Sequence, residues 1–108
     1  MTTEELLKYH EEICTRAREI MRIKNHDYSG ADGKTPFANF EVAEKLSITS
    51  TEKGFLVRIL DKLMRIITWT NCGELKVNES IEDACVDNIN YHILLSAHTK
   101  EKYKNEKL

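Results

Sequence analysis

The sequence predicts an all-α fold, a compact bundle of three long helices and one short helix. Three observations predict it. Apolar residues return at three- and four-residue steps in three separate stretches, the spacing that gathers them on one helical face. The only proline and two of the four glycines fall between residues 25 and 36, where they mark a loop instead of breaking a helix. Residues that favour helix starts stand ahead of the apolar stretches, as Thr2 with Glu5 and Thr49 with Glu52, each with the spacing of a capping box.

The first helix is expected from Thr2 to about Lys24, with Leu6, Ile13, Ala17, Ile20 and Met21 as its apolar face. Asn25 to Pro36 follows as a loop, because its Gly, Asn, Asp and Ser residues favour turns. Phe37 to Leu46 is read as the short helix, plugging one end of the bundle with Phe37, Phe40, Val42 and Ala43. The third helix opens at Thr49 and runs through Leu56, Ile59, Leu60, Leu63, Ile66 and Ile67, ending near Asn71 to Gly73. Asn78 or Ser80 caps the last helix, which carries Ile81, Ala84, Cys85, Ile89, His92, Ile93 and Ser96, widened by Leu94 and Leu95. Residues from about 100 to 108 form a frayed polar tail. The whole chain, 1–108, is read as a single domain.

The totals restrict the function classes. A chain of 108 residues has room for one adequate core without disulfides or a structural metal. Its 16 basic and 18 acidic side chains leave a net charge of -2, which makes nucleic acid a minority partner. Cys14, Cys72 and Cys85 have no CxxC spacing and are expected to be reduced core residues. No apolar run reaches the roughly 18 residues of a membrane span, so the expected location is cytoplasmic. His10, His26, His92 and His98 lack paired ligand spacing, which argues against a histidine metal site. No P-loop, nucleophile elbow or dinucleotide fingerprint occurs.

Chemistry is expected on the last two long helices. Arg58, Asp61, Lys62 and Arg65 recur at three- and four-residue steps, and so do Glu79, Asp83, Asp87 and Asn90. Antiparallel packing of the two helices would line a groove with both sets. Arg58, Lys62 and Arg65 supply the forked and permanent positive charge that phosphate needs. Asp61, Glu79, Asp83 and Asp87 either orient those cations or hold Mg²⁺. The competing reading is a solvated ladder of surface salt bridges. Lys24, Asp27 and Tyr28 are placed at the loop's edge as groups for a phosphate and a base, against the plainer alternative that Tyr28 packs on the core. Trp69 is read as a stacking platform, a core residue or an oligomer contact.

These residues also carry a family resemblance. Lys24-x-x-Asp27-Tyr28, Phe37-x-Asn39-Phe40, Arg58-x-x-Asp61-Lys62-x-x-Arg65 and Glu79-Ser80-x-x-Asp83-x-x-x-Asp87-x-x-Asn90-Tyr91 together resemble a family of small helical domains of phages and bacteria described as nucleotide-modification-associated. More distantly, the last two helices are similar to the MazG-type all-α nucleotide pyrophosphohydrolases. The resemblance implies nucleotide binding and adds Asn39 and Tyr91 to the site residues. The pyrophosphohydrolases carry a Glu-Glu-x-x-Glu run where this chain has Arg58, Asp61, Lys62 and Arg65, which favours binding over hydrolysis. The resulting expectation is a non-catalytic nucleotide binder that needs no cofactor. By analogy it is a phage sponge, in the host cytoplasm, that sequesters a cyclic or modified nucleotide immune signal. A homo-oligomer with sites near its interface would suit a larger ligand. The alternatives are a Mg²⁺-dependent nucleotide pyrophosphohydrolase and a structural or adaptor bundle.

Overall fold

A computed structural model of the chain describes residues 1–28 and 35–104. It is all-helical, with α1 at Thr3–Tyr28, the short α2 at Ala38–Lys45, α3 at Thr51–Cys72 and α4 at Ile81–Lys102. α4 is the central helix, packed against α3 along one side and α1 along another, while α2 lies across the start of α3.

Local chemistry sets most helix ends. At the start of α1 the Glu5 carboxylate accepts from the Thr2 backbone N–H at 2.7 Å, and the Thr2 hydroxyl accepts from the Glu5 N–H at 3.1 Å. This is the expected capping box. Ser80 and Asp83 form a second one at the start of α4. The α3 cap is Ser50, whose hydroxyl accepts from the Lys53 N–H at 3.2 Å. Thr49 was the expected cap, but its backbone N–H instead reaches Ala43 O as the chain leaves α2. Gly73 ends α3 at φ 78°, with its N–H on Trp69 O at 2.7 Å, in the left-handed conformation that glycine adopts without steric cost. At the end of α2 that conformation falls to Ser47, at φ 59°.

Two boundaries differ from expectation. α1 continues through Tyr28, so Lys24 and Asp27 stand on its last turns and not on a loop. Asn25, His26 and Asp27 each cost a helix only about half a kcal/mol relative to alanine. Gly30 and Gly33 lie outside the described residues. At the other end α4 runs to Lys102, whose ammonium meets Glu52 at 2.9 Å, so Lys100 to Lys102 are not frayed. Residues 105–108 of the expected tail lie outside the described residues.

The core is aromatic and sits at one end. Phe37, Phe40, Phe55 and Leu94 form it, with Met21, Tyr91 and Leu95 packed around them. Phe40 and Phe55 stack with centroids 4.6 Å apart, and His98 meets Phe37 edge-on at 5.1 Å. The short helix therefore plugs one end of the bundle with Phe37 and Phe40, whereas Val42, expected beside them, and Leu6 of the expected α1 face are exposed. The cysteines do not belong to this core: Cys14, Cys72 and Cys85 are free thiols, and all three are exposed.

The orientation of α3 and α4 is the main correction. α4 buries Ala84, Val86, Asn90, Leu94 and His98, whereas Cys85, His92, Ile93 and Ser96 of the expected face are exposed. α3 buries Thr51 and Phe55 and turns Ile59, Ile66, Arg58, Lys62 and Arg65 toward its neighbours. Leu56, Leu60, Leu63 and Ile67, expected to face the core, point outward.

Candidate functional site

Because α3 turns its charged stripe inward, its cations meet the acids around α4. The Lys62 ammonium lies 2.9 Å from Glu79 Oε1 and 2.8 Å from Asp87 Oδ2. The other Asp87 oxygen faces Lys24 Nζ of α1 at 3.8 Å. Arg65 donates to the other Glu79 oxygen and stands 3.5 Å from Asp61 Oδ2. The result is one alternating row, Lys24, Asp87, Lys62, Glu79, Arg65 and Asp61, whose three positive and three negative charges cancel. The middle is driest: the side chains of Lys62, Glu79 and Asp87 are 14%, 13% and 16% exposed, against 46% for Lys24 and 64% for Asp61.

A second ionic contact lies at the start of α4. Arg16 of α1 bonds Asp83 and stands 3.1 Å from Glu82. The backbone N–H and the hydroxyl of Ser80, then Arg16, hold the Asp83 carboxyl below its ordinary value. Asp83 pulls the Arg16 guanidinium upward in turn. The sequence reading did not single out Arg16. Its position, three residues after Ile13 and four before Ile20 on the inward margin of α1, was the available signal.

The other expected site residues stand apart. Arg58 lies over the Phe40 ring at 4.5 Å, a cation–π contact, away from the ionic row. Asn90 is buried and its Nδ2 donates to Ala17 O at 2.9 Å. Tyr91 packs on the aromatic core. Asn39 and Asp27 are exposed, with Asp27 beside His26 at 3.4 Å. The side chain of Tyr28 is not among those described. Sequence reasoning therefore brought together Lys24, Asp61, Lys62, Arg65, Glu79 and Asp87, and placed the rest too close.

Asp61, Glu79, Asp83 and Asp87 do not form a metal site among the described residues, where no three His, Cys, Asp or Glu side chains gather to hold an ion. The ammonium of Lys62 stands between Glu79 and Asp87 and satisfies both, so these residues do not fit Mg²⁺ as arranged. Beside Glu79 a concavity opens toward solvent, bounded by Trp69, Glu74, Leu75, Ser80, Ile81 and Glu82. An exposed indole and the Glu79 carboxylate thus flank one recess, which Lys62 and Arg65 reach only through their bonds to Glu79. An anion entering it would reach those donors only by displacing the Glu79 carboxylate. No family model, curated protein or solved structure matches the chain, and among the described residues no helix is long and apolar enough to cross a membrane.

Proposed function

We propose that the protein binds a phosphate-bearing nucleotide without cleaving it, using Lys62 and Arg65 on the phosphate and Trp69 on the base. One observation carries this reading, the nearly dry Lys62 held between Glu79 and Asp87 where α3, α4 and the segment before α4 meet. A buried ion pair is a poor stability device, because apolar residues of equal volume usually serve as well or better. Cations held ready in such a place suit a phosphate, which offers the same donors more oxygens than a carboxylate. Since the row is neutral, the ligand must displace Glu79 or Asp87 to gain both cations. That requirement favours polyanions over singly charged ligands.

The resemblance to the nucleotide-modification-associated domains supports this class of ligand and extends it, by analogy, to a cyclic or modified nucleotide sequestered as a signal. The pyrophosphohydrolase reading is weaker, because Lys62 already satisfies the carboxylates that would hold the metal. The adaptor reading is favoured by a separate observation, the apolar outer face of α3, which is compatible with a bound ligand on the inner one.

Titration calorimetry with nucleoside mono-, di- and triphosphates and cyclic dinucleotides tests the proposal, followed by chromatography of the recovered ligand. The expected result is binding of at least one of them, intact recovery, and a loss of tenfold or more in affinity for Lys62→Met. Release of pyrophosphate would transfer the protein to the hydrolases. Heat-free titrations across the panel would leave the ionic row without a ligand role and sink the proposal.

A further inference from the structure

α3 exposes six large apolar side chains on one side: Leu56, Val57, Leu60, Leu63, Met64 and Ile67 are 39 to 62% exposed. Leu56, Leu60, Leu63 and Ile67 follow one another at steps of four, three and four, which confines them to a strip covering about 60° of the helix circumference. This is the d-a-d-a spacing of a helix–helix seam. Val57 and Met64 widen the strip on one side. On the other, Ile59 and Ile66 lead to a shallow groove where Ile66 meets Cys85, Ile89 and Ile93 of α4. No charged residue falls among these positions of α3. A continuous apolar patch of this kind is unusual on an isolated chain.

The surface of the whole chain points the same way. A compact protein of 12.6 kDa presents about 6,200 Å² to solvent, while this chain presents 8029 Å². Its radius of gyration is 15.8 Å, against about 13 Å for a compact domain of this length. The surplus, about 1,800 Å² per chain, lies in the range that obligate homodimers bury on each partner.

The sequence of the strip fits a second copy of the same helix. Read outward from the point between Asp61 and Lys62, each apolar position from 56 to 67 meets an apolar position at equal distance: Leu60 with Leu63, Ile59 with Met64, Val57 with Ile66, and Leu56 with Ile67. A two-fold axis through that point would pair two antiparallel copies of α3 along their apolar strips, with each a residue facing a d residue. Isologous interfaces require such self-complementarity, and the strip meets that requirement. We propose that the outer face of α3 is covered by a second copy of this chain in this antiparallel register. The pairing is independent of any ligand on the inner face.

Sedimentation equilibrium over a concentration series tests the assembly, with a dimer expected. Leu60→Glu, at an exposed position, is expected to keep the helicity measured by circular dichroism while raising the dissociation constant at least 100-fold. Met64→Lys, at the margin, serves as a second variant should Leu60→Glu fail to fold. The register is tested in a background of Cys14→Ser, Cys72→Ser and Cys85→Ser. There Leu56→Cys alone should form no disulfide-linked dimer, because the two copies of residue 56 would stand about 16 Å apart along the axis. A mixture of Leu56→Cys and Ile67→Cys chains should cross-link readily. Cross-linking of Leu56→Cys to itself would overturn the antiparallel register. A monomer at every concentration would assign the face to a different protein and overturn the pairing altogether.

Discussion

The two faces of α3 are built from opposite materials, and each lies where a simple rule of burial would not put it. The inner face carries Arg58, Lys62 and Arg65 against α2, α4 and the chain before it, and every one of these cations has a partner. The outer face carries four residues of a leucine-rich seam in contact with solvent. An apolar strip therefore marks a face that needs covering, without stating that its own chain does the covering. Helix periodicity gives amphipathicity, and the identity of the partner comes from elsewhere.

Substitutions on the two faces separate these roles. Phe55→Ala, on the inner face at a fully buried position stacked on Phe40, is expected to cost about 4 kcal/mol in chemical denaturation at any protein concentration. Lys62→Ala, which leaves Glu79 and Asp87 facing one another in a nearly dry place, is expected to cost about 3 kcal/mol. Lys62→Met together with Glu79→Gln should recover part of that loss. Recovery would show that the penalty lies in uncompensated charge and not in lost packing. Leu63→Ala on the outer face should instead shift the thermal midpoint in concentrated samples and have little effect in dilute ones, since a partner stabilises by mass action. An equal shift at both concentrations would mean that Leu63 is packed within its own chain.

Acid tests the same contrast at the start of α4. The Asp83 carboxyl, lowered first by its bonds to Ser80 and then by Arg16, contributes stability that is complete above its unfolded value near 3.9. That contribution disappears as pH falls through its lower folded value. Asp83→Asn should therefore flatten the stability–pH curve below about pH 4, whereas Leu63→Ala should shift the curve without changing its shape. The smallest expected effect has the opposite sign. Ser47→Gly, at φ 59°, should raise stability by about 0.5 kcal/mol by relieving a left-handed conformation that costs a residue with a Cβ. A loss of stability there would show that the serine side chain holds the turn.

Legibility in the sequence followed the range of the interaction involved. The four helices, the Thr2–Glu5 cap and the stop at Gly73 depend on contacts within a few residues, and the sequence predicts them; for the last helix it offers Asn78 or Ser80, of which Ser80 is the cap. The end of α1 was misplaced because Asn25, His26 and Asp27 only weakly oppose a helix that nothing else interrupts. The buried side of α4 was misread because this helix is apolar over most of its circumference, so periodicity cannot choose among its faces. The ionic row was legible in part: residue spacing grouped Asp61, Lys62 and Arg65 on one helix and Glu79 with Asp87 on the next. It could not show that Arg58 turns to Phe40, or that each acid would already hold a cation. That knowledge needs the third dimension.

The placement of Phe37, Phe40, Phe55 and Leu94 at one end and of Lys62, Glu79 and Asp87 toward the other gives the molecule a polarity in how it loosens. Added salt weakens the exposed ends of the ionic row by screening and leaves apolar contacts intact. The beginning of α4 should then exchange its amide hydrogens faster in brine, while the turn around Leu94 keeps its protection.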